Sequence, residues 1–63
     1  MVRINGQETA CAEKTVREYL ENAGYDARRV AVELNGEILP KSEYDIILKD
    51  GDNAEVVSFV GGG

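Results

Sequence analysis

The sequence predicts an α+β fold in which a mixed sheet of about five strands carries one helix packed across one face. Three observations lead there. Two Asn-Gly dipeptides, Asn5-Gly6 and Asn35-Gly36, each sit between runs that alternate apolar and polar residues, so each marks a hairpin. Between them the apolar spacing changes to that of a helix. A last apolar run over residues 54 to 60 follows an Asp-Gly turn and supplies the strand that closes the sheet.

In chain order, Val2 and Ile4 face the core and Arg3 faces water, and residues 7 to 11 return as the second strand, with Thr9 and Cys11 on one face. Val16, Tyr19, Leu20 and Ala23 then fall on one helical face. Thr15 and Glu18 have the capping-box spacing, and Gly24 supplies the stop. Lys14 with Glu18, and Arg17 with Glu21, are four-apart charge pairs on the solvent side, worth roughly 0.2 to 0.5 kcal/mol each. Val30, Val32 and Leu34 alternate with Ala31 and Glu33 before the second Asn-Gly; Glu37-Ile38-Leu39 returns, and Pro40 removes a ladder donor. Residues 41 to 49 are irregular, with Ser42 placed to cap a short turn and Tyr44, Ile46 and Leu48 available to close the bottom of the core. Residues 50 to 53 turn into the final strand. This order of elements fits the β-grasp, or ubiquitin-like, plan, while order alone leaves other α+β topologies open. The expectation is one domain over residues 1 to 60 and a flexible glycine tail over 61 to 63.

A chain of 63 residues buries only about 60% of its unfolded surface. A core so small hardly surrounds an enzyme pocket, so a surface or a terminus is the expected working part. Apolar residues make up 43% and charged residues 30%, the mixture of a folded domain and not of a disordered one. Seven basic against twelve acidic residues give a formal charge of −5, which disfavours nucleic acid and anionic membranes and suits either a partner with a basic face or plain solubility of a small protein. The first residues lead straight into a strand and no run approaches a membrane span, so the expected location is cytoplasmic.

The chain has no histidine and one cysteine. That removes the usual nucleophile-base pairs and any zinc cluster of Cys and His ligands, so no catalytic and no metal-binding residues are expected. Cys11 has no neighbouring base to activate it and reads as a small buried hydrophobe. Asp50, Asp52 and Asn53 have alternating oxygen ligands, but Gly61 stands where a calcium loop needs its closing glutamate. Arg28-Arg29 is too short to imply nucleic acid.

The tail is different. Gly61-Gly62-Gly63 adds nothing to packing, and holding each glycine in one conformation costs roughly 1 to 2 kcal/mol. Residues without Cβ atoms can instead thread a narrow channel and present an unhindered carboxylate. The competing reading is a leftover linker or an ordinary frayed end, which is less natural for glycines alone. The strand before them groups Glu55, Val57 and Phe59 on one face and Ala54, Val56, Ser58 and Val60 on the other. If Glu55 faces solvent, Val57 and Phe59 form an exposed apolar patch beside the tail; the alternative puts Val57 and Phe59 in the core with Glu55 at its rim.

The early Asn-Gly hairpin, Thr15-Val16 opening a helix with Tyr19-Leu20, the run VELNGEILP over residues 32 to 40, Gly51-Asp52 and Phe59-Val60-Gly61-Gly62-Gly63 together resemble the ThiS family, the sulfur carriers of thiamin biosynthesis, over essentially the whole chain. The resemblance implies a protein co-substrate. An E1-like, ThiF-like enzyme would use ATP to adenylate the Gly63 carboxylate, and sulfur from a persulfide donor would displace AMP to leave a thiocarboxylate. A ThiG-like thiazole synthase would then accept that sulfur. No cofactor would be bound by the chain itself. Gly62 would occupy the partner's channel with Gly61 and Val60 at its mouth, and Val57, Phe59 and Val60 would dock. Gly61 is a third glycine beyond the family's minimal pair.

The chemistry has its own logic, because an α-carboxyl with pKa near 3.3 to 3.7 is ionised at neutral pH and needs activation before it reacts. The four residues beyond Phe59 reach at most about 13 to 14 Å, enough to enter a partner's active site from outside. The alternatives are the related carrier that serves as small subunit of molybdopterin synthase, and a ubiquitin-like modifier or β-grasp protein-binding module.

Overall fold

The computed structural model describes residues 1–10 and 12–59. Strands β1 (Val2–Ile4), β2 (Gln7–Thr9), β3 (Val30–Leu34), β4 (Glu37–Leu39) and β5 (Asn53–Ser58) form one sheet in the order β2-β1-β5-β3-β4, and one helix, α1 (Val16–Asn22), follows the first hairpin. β1 runs parallel to β5 and the other neighbours are antiparallel, so the sheet is mixed as expected.

Both hairpins follow from their turn residues. Asn5 and Gly6 have φ of 51° and 82°, and Asn35 and Gly36 have 53° and 88°. Positive φ at both central positions defines the two-residue turn whose twist matches that of its strands. It pairs Ile4 with Gln7 and Leu34 with Glu37. The asparagines do more than turn the chain. Asn5 Oδ1 accepts from Val56 N–H at 2.8 Å and its Nδ2 donates to the Val56 carbonyl at 3.2 Å, while Asn35 Oδ1 accepts from Asn53 N–H at 2.9 Å. Each turn thus holds the central strand β5 through a side-chain amide that stands in for a peptide group.

Helix α1 has a partner for every free N–H of its first turn. Val16 and Arg17 donate to the Ile46 and Tyr44 carbonyls at 3.1 and 2.8 Å, and Glu18 N–H donates to Thr15 Oγ1 at 3.0 Å. Glu18 Oε1 accepts from Thr15 N–H in return, the expected capping box. At the other end Tyr25 N–H donates to the Leu20 carbonyl and Gly24 N–H to that of Glu21, with Gly24 at φ 87°. This double bond pattern is a Schellman stop. Glu18 is therefore committed to its cap and Arg17 reaches Asp45 at 2.9 Å, so the expected four-apart charge pairs do not form.

Residues 44 to 48, irregular in sequence, become the brace of the helix entry. Besides the two carbonyls given to α1, Leu48 exchanges backbone bonds with Lys14 and Glu13 at 2.8 Å each, and Ile47 bridges Thr15. Tyr44 and Leu48 are buried as expected, but Ile46 is 41% exposed, its carbonyl facing the helix and its side chain facing outward. A short 3₁₀ turn spans Lys41–Glu43 with Pro40, not Ser42, at its cap and no side-chain cap bond. The 3₁₀ turn Ala27–Arg29 is capped by Asp26, which accepts from Arg28 N–H. Ala23, expected on the core face, is exposed because α1 ends at Asn22, and β2 ends at Thr9, short of Cys11, which lies outside the described residues.

Val2, Ile4, Val16, Leu20, Val30, Val32, Tyr44, Leu48 and Val56 lead the core between sheet and helix. Val2 and Leu20 reach complete burial.

Candidate functional site

β5 decides the site because it is central and leads toward the tail. Ala54 and Val56 are buried in the helix-covered face, while Glu55 and Val57 point to the open face. The two alternatives left by the sequence are thereby resolved: Val57 and Phe59 are each 57% exposed. Phe59 N–H donates to the Arg29 carbonyl at 2.7 Å, so the chain stays tied to the sheet up to that residue.

The register extends this patch beyond the sequence-predicted residues. Val57 lies opposite Ala31, and Ile38, 76% exposed, lies opposite Glu33. A shallow groove lined by Ala31, Ile38, Pro40, Lys41, Tyr44 and Phe59 runs along this patch, with Val57 outside it. Ile38 and Ala31 were legible in principle: once Asn35-Gly36 is a two-residue turn, Ile38 must pair with Glu33 and lie opposite in facing to the core residue Leu39. Val60, Gly61, Gly62 and Gly63, expected at the docking face and in the channel, lie outside the described residues.

Beside the apolar surface Glu33 and Glu55 stand directly opposite one another on β3 and β5. Like charges so placed destabilise a sheet, and no cation among the described residues pairs with either. Five of the seven basic residues are engaged elsewhere: Arg3 with Glu8, Arg28 and Arg29 with Asp26, Arg17 with Asp45, and Lys41 Nζ with the Ala27 and Val30 carbonyls at 3.2 and 2.7 Å. The Arg28 side chain and its N–H hold the Asp26 carboxyl below its usual range. Asp52, once a candidate oxygen ligand, accepts from Lys49 N–H at 2.8 Å and Asn35 Nδ2 at 3.1 Å, and Asp50 pairs with the Met1 amine. Their carboxylates fix turns. Among the described residues no group of three or more His, Cys, Asp or Glu is placed to hold a metal, and no helix is long and apolar enough to cross a membrane.

An exposed apolar strand face on a β-grasp sheet, with no metal cluster among the described residues, defines a class of small ubiquitin-like proteins with a surface suited to docking. Residues 2–63 match the sequence profile of the ThiS family, and the chain belongs to that family. It is 42% identical over 64 residues to the sulfur carrier protein ThiS of Thermus thermophilus, across 100% of both chains. It is 50% identical over 62 residues to a thiazole synthase of Paramagnetospirillum magneticum, covering 95% of this chain but 19% of that protein, so it spans about a fifth of that relative's length. The fold matches the solved thiamine biosynthesis protein ThiS of Geobacter metallireducens with a TM-score of 0.74 at 39% identity, over 98% of this chain and 97% of the other.

Proposed function

We propose that the chain is a cytoplasmic sulfur carrier protein of thiamin biosynthesis, a co-substrate and not an enzyme, with Gly63 as the residue that bears the sulfur. The observation that carries this is the exposed apolar face of Val57 and Phe59, with Ala31 and Ile38 beside it, on the strand that runs into the glycine tail. Membership of the family and the likeness to the Thermus thermophilus carrier support it.

The carboxylate of Gly63 is a poor electrophile while ionised. An E1-like adenylating enzyme would join it to AMP from ATP, releasing pyrophosphate. The outer sulfur of a protein persulfide would then displace AMP to form an acyl disulfide, and a thiol would cleave that S–S bond, leaving a thiocarboxylate on Gly63 and a disulfide between the thiol and the donor. Gly61 and Gly62 have no Cβ to obstruct a narrow channel, so the terminal carbonyl reaches the partner's catalytic groups while the folded domain stays outside. Thiazole synthase is the acceptor, a reading supported by a protein of that name carrying within it a region half identical to this chain. The opposed Glu33 and Glu55 suit a basic residue on the docking partner, which would relieve their repulsion.

A truncated chain lacking Gly62 and Gly63 tests this. It should give the same amide spectrum over the folded domain and support no thiazole formation in a reconstituted system. Retained activity would overturn the proposal.

A further inference from the structure

Hydrogen-bond parity along β5 leaves part of one edge open. On the β3 side the bonding residues are odd-numbered: Phe59 N–H donates to Arg29 and Asn35 N–H to the Asn53 carbonyl, both at 2.7 Å and on one antiparallel register. Alternation in such a ladder turns the backbone groups of Ala54, Val56 and Ser58 to the other side, toward β1. There Asn5 N–H donates to the Ala54 carbonyl at 3.0 Å. β1 ends at Ile4, and the Asn5 amide takes the next place by bonding both backbone groups of Val56. Beyond it the chain has turned into β2. The N–H and C=O of Ser58 therefore face outward with no strand of the described residues beside them, and Ser58 is exposed.

An open edge of this kind is a template for another strand. Its position calls for an occupant that takes up the tail, because Ser58 lies between the apolar Val57 and Phe59 on the approach to it. The thiazole synthase of Paramagnetospirillum magneticum, which carries a region half identical to this chain, points to that enzyme as the occupant. We infer that thiazole synthase adds an extended segment to β5 at Ser58, bonding its N–H and C=O while packing on the Val57 and Phe59 face. The inference rests on the carrier reading above. Asn5 sets its boundary: by occupying Val56 it confines the addition to the end of β5 nearest the tail.

The test is amide hydrogen exchange of the full chain, free and saturated with the thiazole synthase of its own organism. Ser58 N–H should exchange freely alone and at least about tenfold more slowly in the complex. Two variants separate a backbone bond from simple covering. Ser58→Pro removes the outward donor, and the β3 ladder survives because Ser58 gives it no bond; affinity should fall about tenfold. Ser58→Ala should bind like the parent. Unchanged Ser58 exchange in a formed complex, a folded Ser58→Pro with parental affinity, or equal losses in both variants would each overturn strand addition; if Ser58→Pro does not fold, the exchange result decides. Failure to form any complex would instead overturn the functional reading, and this inference with it.

Discussion

Asn5 and Tyr44 show how single side chains set the limits of this small domain. Asn5 tolerates a φ of 51° and uses both ends of its amide on Val56. Asn5→Asp keeps the shape and the left-handed preference but replaces the donor with an anion facing the Val56 carbonyl. It should cost roughly 1 to 3 kcal/mol in urea denaturation with the fold retained; an unchanged midpoint would refute the role. The Tyr44 side chain is buried, with its hydroxyl 3.5 Å from the Val30 carbonyl, and burial pushes its phenol above the usual value of 10.0. A raised folded pKa favours the protonated native state. Stability from this source is complete below about pH 10 and declines as pH rises above it, because the unfolded chain loses its proton first. Thermal unfolding from pH 9 upward should show that decline, and Tyr44→Phe should flatten it.

Element by element, local signals were readable and distant ones were not. Thr15, Glu18 and Gly24 announce both ends of α1 because caps are made within a few residues of where they act. Thr15→Ala should therefore cost roughly 0.5 to 2 kcal/mol, measurable as a lowered urea midpoint. The Asn-Gly turns likewise fix two hairpins and their registers. Residues 44 to 48 carry no such signal: their carbonyls serve the N–H groups of Val16 and Arg17 far back in the chain, so Ile46 is held by its backbone and its side chain is left outside. The charge pairs expected on α1 failed for the same reason, since Arg17 finds Asp45 across the fold. Glu13 was also invisible; the connection into α1 holds it at φ 74°, where a side chain is strained. Glu13→Gly should raise stability by about 0.5 to 1 kcal/mol, the relieved strain less glycine's entropy.

At the scale of the molecule, the sheet has one face covered by α1 and one left open, and the strand that ends at the tail lies in the middle. Sequence alternation grouped Val57 with Phe59 but did not orient them; their facing is set by which side of β5 the helix covers. Val57→Glu and Phe59→Glu should each leave the domain folded, since both residues are more than half exposed. Each should weaken binding to the sulfur-accepting enzyme by at least tenfold, about 1.4 kcal/mol or more. Titration calorimetry would show it. The central claim is that Gly63 carries sulfur through a carboxylate activated by another protein, and intact-mass spectrometry tests it most directly. After incubation with an active adenylating enzyme, ATP, a persulfide donor and a thiol reductant, the full chain should gain the mass difference between sulfur and oxygen, with fragment ions placing the change on Gly63. An unchanged mass, or sulfur found on Cys11 instead, would contradict the account.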